Sequence, residues 1–221
     1  MSDLFEKQPI IEKTKIEKLQ EKFCDIFDKI KKVEAIKLFK LICKEYQSEK
    51  RIYHNLEHIE KLLNFIENYE KEIQDEKGLK LAVWFHDVIY NTQAKDNEEQ
   101  SADYAKNYLE KLDFSKETVE HVVALIMSTK KHETIENDID SGILLDGDLA
   151  ILGSNEKEYD KYATKIREEY AWVLDEEYKE GRIKVLKKFL ERPKIYFTEK
   201  AEKELEQQAR INIEREIKQL S

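Results

Sequence analysis

The sequence predicts an all-α protein, and three observations carry that expectation. Chain breakers are scarce, apolar residues recur at helical spacing, and no stretch alternates as a half-buried strand does. Five Gly and two Pro punctuate 221 residues, fewer turn residues than a β-rich chain of this length needs. The length suits one helical domain over residues 1–221, with a core of chemistry at about 50–152 and completing helices at 155–221.

The elements follow in order. From Glu12 to Ile30, the residues Ile16, Leu19, Phe23, Phe27 and Ile30 fall at three- and four-residue intervals and mark an amphipathic helix. A second runs from Val33 to Tyr46 on Ile36, Phe39, Leu41 and Ile42. Asn55 is placed to cap a third, Leu56 to Tyr69, with Ile59, Leu62, Leu63 and Ile66 on its core face. Gly78 opens the stretch Leu79 to Tyr90 (LKLAVWFHDVIY), apolar nearly all round as a central buried helix should be. Helices are expected next at Glu98–Leu112 and Lys116–Ser128. A short apolar run follows, Ile143 to Leu152, broken by Asp146-Gly147-Asp148, with a helix beginning near Leu149. The last three are expected at Lys157–Leu174, Glu177–Leu190 and Thr198–Leu220, with Pro193 separating the final two. Leu205, Ala209, Ile213 and Ile217 form a stripe on the terminal helix, expected to pack within the chain.

Composition narrows the function classes. A formal charge of −9 argues against binding long nucleic acid through its phosphates, though a metal and a few cations can attract a small phosphorylated ligand. No run approaches the roughly 18 apolar residues of a membrane span, and MSDLFEKQPI lacks the features of a secretory signal, so the cytosol is the expected compartment. Cys24 and Cys43 lie in helical patterns and read as free thiols.

Chemistry concentrates between residues 54 and 132, where all five histidines fall: His54, His58, His86, His121 and His132. His86-Asp87 sits in the most apolar stretch of the chain. A carboxylate buried there costs several kcal/mol (roughly) unless it is paired or bound to a cation. A hydrogen-bonded pair at a helix end and a pair of metal ligands are both open readings. Imidazole with carboxylate suits Mn, Fe, Co, Ni or Zn better than Ca. His54 and His58 stand four apart in YHNLEHI; if Asn55 is the cap, His54 lies outside the helix and His58 is the better ligand. In ILLDGDLAIL two carboxylates interrupt an apolar run, and helix capping accounts for only one. His121 lies eleven residues before His132, so one unbroken helix would align them for a second ion; an ordinary partly buried histidine is the favoured reading. Arg167, Arg182 and Arg210 are candidate phosphate clamps, competing with surface ion pairs. Tyr53, Trp84, Tyr90, Tyr170 and Trp172 belong to a core or cleft wall, with stacking on a base as the alternative.

Taken in order, YHNLEH, WFHDVIY, NEEQSA, IMSTKKH and LDGDLAILG resemble a bacterial branch of the HD superfamily of metal-dependent phosphohydrolases. EYDKYATKIREEY, YKEGRIKVLKKFL, PKIY and EKELEQQARINIEREI extend the resemblance from about Tyr53 to Leu220. It implies a helical domain whose metal is held by His58, His86, Asp87 and Asp148. One or two divalent ions are implied, from among Mn, Fe, Mg, Co, Ni and Zn. The implied reaction is hydrolysis of a phosphate ester or anhydride, in a nucleotide or related small metabolite, by metal-activated water. His54 and His132 are then placed to bind phosphate oxygens, assist proton transfer or complete a second metal site, Glu98 to orient the attacking water, and Asn97 to contact substrate or water or to cap the following helix. Some HD nucleotidases carry an acidic residue three positions after the HD pair; here Tyr90 stands there, and Glu98 or Glu99 is placed to substitute. Three other readings remain open: a di-iron oxygenase, a nucleotide-sensing module without turnover, and a purely structural helical protein.

Overall fold

The computed structural model describes residues 9–28 and 31–221, and side chains from residue 15. Ile30, the expected end of the first helix, lies outside the described residues. Among those residues there are ten α-helices and no strand, so the protein is all-α. They are α1 Pro9–Cys24, α2 Lys32–Tyr46, α3 Leu56–Ile66, α4 Glu76–Phe85, α5 Asn97–Lys111, α6 Lys116–Thr129, α7 Ile139–Leu149, α8 Glu156–Glu169, α9 Asp175–Leu190 and α10 Glu199–Leu220. None of them is long and apolar enough to cross a membrane.

The caps are largely side-chain oxygens. Asn55, Asp75, Ser115, Asp138, Asn155 and Thr198 each accept a backbone N–H in the first turn of the helix they precede. α4 is central and packs against α3, α5, α6 and α7. Its Leu81, Ala82, Val83, Trp84 and Phe85 are wholly buried, which is why the stretch is apolar all round. The Trp84 ring meets Phe23 of α1 edge-on at 5.3 Å and Phe39 of α2 at 5.7 Å, tying the first two helices to the centre. Cys24 and Cys43 are free and buried, and burial pushes the Cys43 thiol up to about 12, so it is inert at neutral pH.

A second apolar cluster joins the C-terminal helices to the end of α7. Leu149, Leu152, Tyr159, Leu186, Tyr196, Ala209 and Ile213 pack together, so the stripe on α10 is spent inside the chain. Gly153 is needed there, because a Cβ would lie 2.8 Å from the Leu205 carbonyl oxygen of α10. Gly147 likewise lets α7 approach α3, where a Cβ would meet the Phe65 ring at 2.9 Å.

Several expected boundaries move: α1 ends at Cys24 and α8 at Glu169, each short of its expected end, and two further shifts bear on the site. α4 ends at Phe85 rather than running on to Tyr90, which places His86 at its C-cap and Asp87 in the turn beyond. The buried Arg51 guanidinium takes the place of further helix: it donates to the carbonyls of Asp87 at 2.5 Å and Val88 at 2.7 Å. Asp146 and Asp148 do not precede a helix starting near Leu149; they lie inside α7. Asp146 accepts from Phe197 N at 2.7 Å, Thr198 N at 2.8 Å and Thr198 Oγ1 at 2.7 Å, anchoring the start of α10. Replacing Asp146 with Ala orphans these buried donors, each worth roughly 1–3 kcal/mol. The expected loss is about 2–4 kcal/mol in urea unfolding; a change under about 0.5 kcal/mol would mean that α10 is held elsewhere.

Candidate metal site and cavity

The side chains converge from three helices and one turn. His58 comes from the first turn of α3, His86 from the end of α4, Asp87 from the following turn and Asp148 from the last turn of α7. His58 Nε2 lies 3.2 Å from His86 Nε2 and 3.2 Å from Asp148 Oδ1. His86 Nε2 lies 3.7 Å from Asp148 Oδ1 and 3.3 Å from Asp87 Oδ2. Ligand atoms of His58, His86 and Asp148 all fall within 4.8 Å of one another, a grouping that could hold a metal ion. Asp87 borders it, 4.0 Å from His58.

The tautomers test the fit. His86 Nδ1 is 2.9 Å from the Val83 carbonyl, which can only accept, so Nδ1 carries a proton and Nε2 of a neutral ring offers a lone pair. That lone pair meets another imidazole nitrogen and two carboxylates in an environment where His58 is 3% and His86 1% exposed. Such a set coheres only around positive charge, either protons or a cation. Burial opposes a charged His86, but the Asp87 and Asp148 carboxylates outweigh it and raise the imidazole well above its usual range. Burial likewise pushes Asp148 upward, and hydrogen bonds from His132, His58 and His86 overcome it, holding the carboxyl well below its usual range. Two imidazoles with carboxylate oxygens suit a first-row divalent ion.

His132 stands on the far side of Asp148, its Nε2 3.3 Å from Oδ2. Its backbone is left-handed, φ 50°, at the C-terminal end of α6. His132 N bonds Thr129 O and Glu133 N bonds Ser128 O, the double bond of a Schellman ending in which glycine is the usual residue. Arg192 pins this turn through the carbonyls of Lys131 and His132. This turn places the imidazole beside Asp148.

A cavity of about 540 Å³ opens beside these groups, lined by His54, His86, Asp87, Glu98, His132 and Asp148 among others. His54 stands outside α3, as the Asn55 cap requires, and takes no place in the His58–His86–Asp148 cluster. Instead His54 Nδ1 donates to Glu169 Oε2 at 2.6 Å, leaving Nε2 for the cavity. Glu169 Oε1 accepts from the backbone of Tyr53 and His54, and Tyr90 donates its hydroxyl to Oε2. Burial disfavours charge on both partners, yet their hydrogen bond raises His54 and lowers Glu169, a match that describes an ion pair.

Other candidates are placed elsewhere. Asn97 does not face the cavity: it exchanges two hydrogen bonds with the backbone of Asn91, bracing the loop that follows Asp87. Glu99 is bonded to Lys130, whereas Glu98 lines the cavity. Arg167 is taken up by Asp175 and the carbonyls of Tyr170 and Val173. Arg210 is taken up by Glu206 and the carbonyls of Leu190, Arg192 and Pro193. Neither is placed to clamp a phosphate. Arg182 does reach the cavity wall, but its Nε and Nη2 bind Glu216 at 2.8 and 3.1 Å. His121 does not align with His132, since α6 ends at Thr129. It lies between Asp75 and Asp138, and with Asp138 and Asp140 makes a second grouping that could hold an ion. There Asp75 and Asp138 already cap α4 and α7, and Asp140 accepts from the backbone of Gln74 and Asp75. Trp84 is core, not cleft.

Glu169, Arg51 and Glu216 were not singled out from sequence. A signal existed for Glu169 and Glu216, since each acid falls on the apolar face of its helix, in step with Tyr162 and Ile166 or with Ala209 and Ile213.

No protein-family profile, curated protein or solved structure matches this chain.

Stripping with a chelator and adding back Mn, Fe, Mg, Co, Ni or Zn tests the cluster. At one hundred times the Kd an ion is expected to add about 2.7 kcal/mol of stability, read as a rise in Tm. Asp148→Ala should abolish that rise; no shift with any ion would dismiss the site.

Proposed function

We propose that the protein is a divalent-metal-dependent phosphohydrolase acting on a small phosphorylated molecule. The observation that carries this reading is the buried His58–His86–Asp148 grouping, bordered by Asp87 and facing a cavity with further acid–base groups. The sequence resemblance to the HD superfamily points the same way. His58, His86, Asp87 and Asp148 would hold the ion. When bound, it would supply Lewis-acid polarisation of a phosphoryl oxygen and a lowered pKa for water.

The chain's own residues then have separable tasks. Asp148 presents Oδ1 toward His58 and His86 while His132 engages Oδ2, so the carboxylate stays in one orientation. His54, with its Nδ1 proton committed to Glu169, offers Nε2 to a substrate oxygen and can pass a proton there. Glu169 acts on substrate only through His54 and is a positioning residue. Glu98, at the cavity wall, is available to orient an attacking water.

Product release from nucleoside mono-, di- and triphosphates, dinucleotides and simple phosphoesters, assayed with each ion in turn, tests the reading. Release is expected to depend on the ion and to vanish in Asp87→Ala. His86→Ala should lose both bound metal and turnover, and full activity with metal retained in that variant would remove this site from the chemistry. In Glu169→Gln, kcat should fall about 10- to 100-fold while metal content and KM stay near wild type. A proportionate loss of metal would assign Glu169 a purely structural role.

A further inference from the structure

The cavity beyond the metal cluster is unlike a polyphosphate site. Four carboxylates line it, those of Asp87, Glu98, Asp148 and Glu177, against one guanidinium, that of Arg182, and three imidazoles already engaged: His54 by Glu169, His132 by Asp148 and His86 within the metal cluster. Arg182 is already neutralised by Glu216, with its side chain 9% exposed and its plane over the Tyr162 ring at 5.2 Å. Arg51 is consumed by three carbonyls, and Lys130 by Glu99. Among the described residues, then, no uncommitted Lys or Arg lines the cavity. A single divalent ion offsets the charge of one phosphoryl group. A second and third phosphate would enter a space already negative, without the guanidinium or ammonium partners that phosphate chains need.

The remaining wall is aromatic and apolar. Tyr170 and Trp172 stack at 6.5 Å with planes 28° apart, beside Tyr178 and Val173. Trp172 is 54% exposed, an unusual setting for the largest apolar side chain. Its indole N–H donates to Thr92 Oγ1 at 2.7 Å, joining the loop after α8 to the loop after α4. The ring is thereby held in place at the cavity rim.

Resting on the hydrolase reading above, we infer that the substrate is a phosphomonoester, one phosphoryl group on a flat aromatic body, and that Trp172 and Tyr170 form the platform for that body. A nucleoside 5′-monophosphate and an aryl phosphate share this chemistry. A cavity of about 540 Å³ falls within the size range of small-molecule pockets and admits either.

The test uses the full chain with Mn²⁺ and compares an adenosine 5′-monophosphate, naphthyl phosphate, glycerol phosphate and adenosine 5′-triphosphate. At least tenfold higher kcat/KM is expected for a ring-bearing monoester than for the triphosphate or the glycerol ester. Trp172→Ala should raise KM for the ring-bearing ester roughly tenfold more than for glycerol phosphate, the scale of one lost stacking contact. Equal or better use of the triphosphate, or a KM change shared equally by all esters, overturns the inference and leaves the hydrolase reading standing. Binding is followed separately by fluorescence, because Trp84 is wholly buried and Trp172 is the exposed indole. Ring-bearing monoesters that quench it more tightly than the triphosphate, without turnover, support the ligand class and overturn the hydrolase reading. No quenching and no turnover overturn both. The better of the two ring-bearing esters names the source.

Discussion

Two imidazole nitrogens 3.2 Å apart in a nearly dry interior, with carboxylate oxygens on both flanks, are the constraint around which this fold is arranged. Unit charges about 4 Å apart interact by roughly 4 kcal/mol at an effective dielectric of 20. The group therefore cannot be neutral in its charge demands: it needs protons or a cation, and it needs its members held against mutual repulsion. The holding comes from outside the cluster. Val83 O fixes the His86 tautomer, Arg51 fixes the turn that carries Asp87, and Gly147 lets α7 come close enough to α3 for Asp148 to meet His58.

The end of α4 shows the same economy. A helix continued through Val88 would carry Asp87 about 100° round from His86 on a regular cylinder. Stopping at Phe85 leaves the last carbonyls without intrahelical donors, a cost that a buried helix end must meet. Here Ala82 O accepts from His86 N, Val83 O from His86 Nδ1, Trp84 O from the Tyr46 hydroxyl and Phe85 O from Val88 N. Arg51 holds the carbonyls of the turn beyond and stacks over Tyr46 at 4.9 Å and Tyr90 at 5.5 Å. One side chain thus holds the Asp87 turn and packs on the tyrosine that reaches Glu169.

Local periodicity made the helices legible, and the Asn55 and Thr198 caps were readable because a short polar side chain ahead of an apolar stripe has few other uses. The apolar setting of His86-Asp87 and of Asp148 likewise sets them apart in the sequence. What could not be read was partnership across the chain. Nothing near Asp146 in sequence announces the backbone N–H groups of Phe197 and Thr198 fifty residues on. The arginines mislead for a related reason. A guanidinium satisfies backbone carbonyls as well as phosphates, and Arg167 and Arg210 spend theirs on local chain ends. His132 was found as a residue type, but its left-handed backbone was hidden, since no glycine marks the turn.

Asp146 and Asp148 show how one helical turn serves two halves of the molecule. Two positions apart on a helix, they point about 200° from each other. Asp146 reaches the start of α10, and Asp148 reaches the histidines. α10 in turn supplies Glu216, which binds Arg182 of α9 and the hydroxyl of Tyr159 in α8, while Asn212 holds the carbonyls of Leu152 and Ser154. The cavity wall of α8 and α9 is therefore bonded, through α10, to the same turn of α7 that carries Asp148. Asp146, one glycine away from the cluster, is one of the bonds that couple the C-terminal helices to it, beside those of Tyr196 to Leu149 O and Asn212 to Leu152 O. That linkage ties the shape of the cavity to the backbone that positions Asp148.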